Sequence, residues 1–219
     1  MSQTQNDFIN NLHEFGINPR TREVFLHGND ESSEIDEKVA VQFEKNIYLL
    51  ARQNKEPIYI HLNSVGGSID DGLAIYDVIH TLPIHTVVIA HGCAASMGSL
   101  IPQAADLRLI MPNAQFMIHR GSFSVSETAT GAITCASWHK KIIDLILDIY
   151  SARCSKGKFF KRPQYNTLDK VKKFLDKKMK EHEHWFLTAE EAVEYGFMDA
   201  VIGDNYTMED ILTKNIEFK

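Results

Sequence analysis

The chain has 219 residues, 44% of them hydrophobic, and its 23 Lys+Arg against 29 Asp+Glu leave a formal net charge of −6 at pH 7. That length supports one sizeable α/β core and is short for two, and the acidic balance argues against a nucleic-acid surface, where a basic excess is expected. No run approaches the roughly 18 apolar residues of a membrane span, the start Met1-Ser2-Gln3-Thr4-Gln5-Asn6-Asp7 has no apolar signal region, and Cys93, Cys135 and Cys154 form no C-x-x-C pair, so the expectation is a soluble, cytoplasmic chain with reduced thiols and neither membrane nor nucleic acid as partner.

Residues 1–22 are polar and weakly patterned and read as a short helix with a mobile arm. Residues 22–27, Arg-Glu-Val-Phe-Leu-His, read as a first strand and Gly28-Asn29-Asp30 as its turn. Ile35, Val39, Phe43, Ile47 and Leu50 recur at helical steps, predicting an amphipathic helix that ends before Pro57. Ile58 to Leu62 is almost continuously apolar, as a buried parallel strand should be. It runs into Asn63-Ser64-Val65-Gly66-Gly67-Ser68, after which residues 71–80 resume helical spacing. A second strand, Thr86 to Ala90, feeds Gly92-Cys93-Ala94-Ala95-Ser96-Met97-Gly98 in the same way. Alternating strands and helices predict parallel crossover units and an α/β fold in one domain, 1–219.

Each glycine turn marks a helix start, where backbone N–H groups lack intrahelical partners and favour an anion. A serine there is a candidate nucleophile, and paired glycines let the backbone approach a substrate and aim N–H groups at a developing oxyanion. Ser96 could be only a small residue at a helix start, and His119, ending Phe116-Met117-Ile118, only a satisfied edge-strand histidine. His61, His85 and His91 read as structural.

Beyond His119, residues 128–153 carry Ile133, Ile142, Ile143, Leu145, Ile146, Leu147, Ile149 and Tyr150, too apolar on several faces for a simple surface helix. Residues 155–180 are strongly basic, but Val171, Phe174, Leu175 and Met179 keep helical spacing beneath the charges, so a solvated helix is expected rather than a nucleic-acid site. Thr188-Ala189-Glu190-Glu191 is a capping box and Gly196 a helix stop. Ala200-Val201-Ile202 closes as a strand before a tail read as polar.

The strings N-S-x-G-G-S-I-x-x-G-L-A-I-Y-D, G-x-A-A-S-M-G and M-P-N-A-Q-F-M-I-H, in that order, resemble the proteolytic subunit of the Clp protease (ClpP family). The resemblance implies a crotonase-like spiral of β-β-α units with a projecting handle helix over 128–153. It implies a serine endopeptidase that needs no cofactor, cutting unfolded polypeptide within a homo-oligomer of stacked rings and fed by a separate AAA+ unfoldase. It makes Ser96 the nucleophile, His119 the general base, and the N–H groups of Gly67 and Met97 the oxyanion hole. Residues 155–180 lengthen the stretch between His119 and the C-terminal motif beyond the family's usual distance. Counting back from Trp185-Phe186-Leu187-Thr188, the family's aspartate position falls on His184. A Ser96-His119-His184 triad, Glu183 or Glu181 reaching in, or an impaired, structural subunit all remain open. A non-catalytic ring subunit, a viral or capsid-associated scaffold peptidase and a crotonase-type acyl-CoA enzyme are the alternative functions. Glu181, His182, Glu183 and His184 could ligate zinc, but a two-residue spacing at a helix end points the rings apart, and no metal is expected.

Overall fold

A computed structural model describes residues 9–10, 12–27 and 34–216. The expected turn at residues 28–30 and part of the expected arm, residues 1–8 and 11, lie outside them.

The sheet begins with β1 (Ile17–Asn18), antiparallel to β2 (Glu23–His27). Residues 17–22, read from the sequence as part of the arm, are docked: Arg22 is buried and donates to the carbonyls of Leu50 at 2.9 Å and Glu56 at 2.8 Å. With Nε also donating to the carbonyls of Glu56 and Pro57, four bonds from a rigid guanidinium fork hold what composition alone reads as loose. From β2 the sheet continues in parallel through β4 (Ile58–Ser64), β6 (Thr86–Ala95), β7 (Leu107–Ile110) and β10 (Ala200–Val201). A two-stranded sheet, β3 (Glu34–Ile35) with β5 (Gly66–Gly67), stands apart from it.

Strand β6 is the pivot. Its first half, Val87 to Ala90, pairs with β7, and its last residues, Cys93 to Ala95, pair with β8 (Gln115–His119). Gly92, at φ 43°, turns the strand between the two halves. Strand β8 then pairs antiparallel with β9 (His184–Leu187), in a register that sets His119 opposite His184. The split places the ends of β6 and β8 side by side.

One face of the sheet, Val24, Leu26, Ile60, Leu62, Val88 and Ala90, is buried with residues of helices α1 (Glu37–Gln53) and α2 (Ile69–Thr81). Asp36 caps α1 by accepting from Val39 N–H at 2.9 Å. Helix α1 buries Ala40, Phe43, Ile47 and Leu50, the stripe its spacing predicts. The other face, Tyr59, Val87, Ile89, Leu109 and Ile202, forms a second core with Ile211 and Ile216 from the C-terminal segment. That segment corrects the reading of a polar tail: Thr207 and Asp210 make a capping box that opens α7 (Met208–Thr213). Six residues are too few for an isolated helix, and the complete burial of Ile211 holds it, at roughly 1.5–3 kcal/mol for such a side chain.

The short α3 (Met97–Leu100) follows β6, and α4 (Ala129–Cys154) runs on from the loop after β8. The C-terminal half of α4 buries Ile143, Ile146, Leu147 and Tyr150, while Ile133 and Trp138 are 69% and 62% exposed. Residues 155–180 fold back as 3-10 turns and then α5 (Leu168–His182), whose Val171, Leu175 and Met179 are buried. Several of its lysines are matched to carboxylates: Lys172 with Asp148 at 2.7 Å, Lys173 with Asp169 at 2.7 Å, and Lys180 with Asp176 at 2.6 Å. An unread cluster of rings anchors the segment, with Phe159, Phe160, Tyr165 and Phe174 packed on Tyr195 and Trp185. Helix α6 (Ala189–Glu194) opens with the capping box at Thr188 and Glu191. Among the described residues no helix is long and apolar enough to cross a membrane.

Candidate active site

Ser96 directly follows β6 and caps the start of α3, at φ 54° and ψ −123°. For a residue with a Cβ this is a strained backbone, of order 1–3 kcal/mol, which persists only where its surroundings fix it. Here they do so from both sides. Ser96 N–H donates to Met117 O at 2.9 Å, and Ser96 O accepts from Ser99 N–H at 2.9 Å and from the Ser99 hydroxyl at 2.6 Å. Ser99 Oγ lies 2.8 Å from Tyr150 Oη, in the buried part of α4. Burial also pushes the Tyr150 phenol well above its ordinary pKa, so it stays protonated and able to donate.

His119 is the last residue of β8, and its Nε2 lies 2.7 Å from Ser96 Oγ. The strand pairing that joins Ala95 to Met117 creates this contact, because each side chain sits just past the paired residues. Burial lowers the His119 pKa, the neighbouring His184 lowers it further, and Glu183 acts in the opposite sense. A ring held neutral near pH 7 keeps a lone pair for a proton.

Gly66 closes the third side. A Cβ there would lie 2.6 Å from Ser96 Cβ and 2.9 Å from Met97 N, and the residue sits at φ 99°. Gly67, at φ 148°, lies equally tight on Ile35, whose carbonyl accepts from Ser68 N–H at 2.9 Å. Gly66 is thus pressed against the Ser96-Met97 turn and Gly67 against Ile35, and no other residue type fits at either without moving backbone.

The sequence-derived third position is looser. His184 is exposed and meets His119 ring to ring, with centroids 5.1 Å apart and planes tilted by 35°. Among the described residues no hydrogen bond joins the two. Glu183 ends α5 at φ 50°, near enough to influence His119 electrostatically. Glu181 lies 3.6 Å from Lys177 on α5. A cavity of about 610 Å³ opens beside the histidines, lined by Arg120, Met179, Lys180 and Glu183 among others. Arg120 is tied to Asp176 of α5 at 3.3 Å, so the basic segment forms one wall of the site. A second, largely apolar groove of about 410 Å³ runs beside Ile69, Phe123, Trp138 and Ile142. Sequence reasoning missed Tyr150, Ser99 and Asp176. Tyr150 reads as one more apolar helix residue, and Asp176 as one more surface charge. Among the described residues no group of three or more His, Cys, Asp or Glu side chains is arranged to hold a metal ion.

A serine on a strand-to-helix turn, facing a histidine across the split edge of a largely parallel sheet with paired glycines alongside, is the arrangement of a serine peptidase. The chain belongs to the Clp protease family: the family model described as Clp protease matches residues 19–205. ATP-dependent Clp protease proteolytic subunit 2 of Tropheryma whipplei (strain Twist) is 36% identical over 171 residues, covering 76% of this chain and 86% of that protein. The family resemblance, the α/β fold and the serine endopeptidase activity read from the sequence motifs all agree with these matches.

Proposed function

We propose that this chain is the peptide-cutting subunit of a ring-stacked chamber, acting as one peptidase domain on unfolded polypeptide fed by a separate AAA+ unfoldase. The single observation that carries the catalytic part is the 2.7 Å contact between His119 Nε2 and Ser96 Oγ at a strained turn. In this reading Ser96 Oγ attacks the scissile carbonyl while His119 takes its proton. The oxyanion is bound by the N–H groups of Gly67 and Met97, the latter at the start of α3. The tetrahedral intermediate collapses as His119 protonates the leaving amine, and water, deprotonated by the same ring, releases the acyl group from Ser96. The cut itself consumes no nucleotide, and the chain has no G-x-x-x-x-G-K-[ST] loop. The groove beside Ile69 and Trp138 would take an apolar side chain of the substrate.

In this reading His184 is the third member, its ring packed against that of His119 with centroids 5.1 Å apart. Glu183 contributes its charge through space. The absence of a hydrogen bond between the two rings favours one second reading, a weakly active subunit that serves mainly to assemble. Hydrolysis of a fluorogenic peptide and of unfolded casein separates the two. Wild type should cut both, and Ser96→Ala should lose roughly 10⁴–10⁶-fold in kcat. Equal rates for the two proteins would remove Ser96 from the chemistry, and an inert wild type that still assembles would select the second reading.

The stacked-ring assembly has its support in α4. Ile133, Trp138 and Leu145 leave it with an exposed apolar face, 69%, 62% and 47% exposed respectively, of the kind that marks an interaction surface.

A further inference from the structure

The cavity beside His119 carries charges that the peptidase chemistry does not use. Arg120, the residue after His119, lines it together with Lys180 of α5. One carboxylate, that of Asp176, serves both cations: its Oδ2 accepts from Lys180 Nζ at 2.6 Å, and its Oδ1 lies 3.3 Å from Arg120 Nη2. The second contact is an ion pair by distance only, because Asp176 Oδ1 is buried and receives no hydrogen bond. Among the described residues Arg120 has no hydrogen bond and no other ion pair, so the Nε and Nη1 edge of its guanidinium meets no acceptor. The Arg120 and Lys180 side chains are 38% and 55% exposed, and solvent or a substrate can reach both.

We propose that Arg120, with Lys180 beside it, binds a carboxylate of the peptide substrate, so that the enzyme prefers substrates with an acidic group near the cut; this rests on Ser96 and His119 being the peptidase pair. A guanidinium presents parallel N–H groups that match the two oxygens of a carboxylate, and such charge-assisted forks are shorter and about twice as strong as neutral hydrogen bonds. Asp176 does not use that capacity. It meets Arg120 with one oxygen, at a distance long for a charge-assisted bond, while its other oxygen is committed to Lys180. A substrate carboxylate would complete the fork, and the uncharged amide of a glutamine in its place would not. The lining carries two cations, Arg120 and Lys180, against one carboxylate, Glu183. Glu183 would draw a cationic side chain instead, so the sign of the preference reports which group governs the cavity. Because Arg120 follows His119 directly in the chain, a group held on it lies beside the residue that moves the proton. The carboxylate can come from an acidic side chain near the scissile bond or from the C-terminus of a short peptide, and the chemistry of recognition is the same.

The test measures kcat/KM of the full-length protein on fluorogenic peptides that differ only in carrying Glu, Gln or Lys at one of the three residues on either side of the scissile bond. Each peptide is made with a free and with an amidated C-terminus. The ratio of the Glu to the Gln peptide is taken within each protein, so a general loss of activity or of folded protein cancels. For wild type it should reach about tenfold at one position or more, the scale of a hydrogen-bonded charge. Arg120→Gln should bring it near one, and Arg120→Lys, which keeps the charge without the fork, should leave an intermediate value. Asp176→Asn, which frees both cations, should raise it. Lys173→Gln, on the same helix but outside the cavity, should keep the wild-type ratio. A preference that survives amidation assigns the carboxylate to the side chain, and one present only with the free terminus assigns it to the C-terminus. A wild-type ratio near one in both series, a ratio untouched by Arg120→Gln, or a preference for Lys would each overturn the proposal while leaving the peptidase reading in place. A wild type that cuts none of the peptides would remove the peptidase reading itself, and this proposal with it.

Discussion

At the scale of single residues, the most consequential feature is what stands beside His119. A peptidase histidine is usually held by a carboxylate, which raises its pKa and stabilises the imidazolium as it forms. Here burial and the His184 ring both lower it, with Glu183 opposing. A lowered pKa keeps the base neutral further into acid, so the acid limb of kcat/KM should fall below about pH 6.5, the ordinary histidine value. His184→Asp replaces a like charge with an opposite one, so the limb should move to higher pH with activity retained. His184→Ala should lose activity at every pH. Full activity in His184→Ala together with loss in Glu183→Gln would make Glu183 the third member instead.

At the scale of elements, α4 connects the exposed apolar face to Ser96. Its N-terminal half presents Ile133 and Trp138, and its buried half sends Tyr150 through Ser99 to the carbonyl of Ser96. Removing the phenol hydroxyl leaves the buried Ser99 Oγ one partner short, at about 1–3 kcal/mol. Tyr150→Phe should therefore lower stability by about 1 kcal/mol in urea titrations and reduce kcat more than it changes KM; an unchanged kcat would make the contact structural only. The elements that build the site were legible because they obey local rules: continuous apolar runs for buried parallel strands, glycine where the backbone turns sharply, capping residues at helix starts. What escaped depends on partners far along the chain. The helix at Met208–Thr213 was missed although its capping box was in plain view, because the surface that stabilises it is made by Tyr59, Ile89 and Leu109. Docking of the basic segment through Phe159, Phe160 and Tyr165 has the same character: three rings close in sequence show no helical period, and only the fold supplies Tyr195 and Trp185. The pairing of His61 with His91 depends on strand register, which neither strand specifies alone.

At the scale of the whole molecule, the proposed function sets a serine peptidase site inside an assembly of copies of the chain. The exposed side chains of α4 should be covered in solution, so sedimentation at micromolar concentration should show a large homo-oligomer, and Trp138→Glu, which puts a charge into that face, should shift it to smaller species. A wild-type monomer under several salt conditions would remove the chamber while leaving the peptidase site intact. The central claim is that Ser96, activated by His119, forms the acyl-enzyme, and intact-mass spectrometry after treatment with a fluorophosphonate tests it most directly. One adduct per chain should form on wild type, map to Ser96, form far more slowly on His119→Ala, and be absent from Ser96→Ala; an adduct that persists in Ser96→Ala, or maps to another serine, would contradict the account.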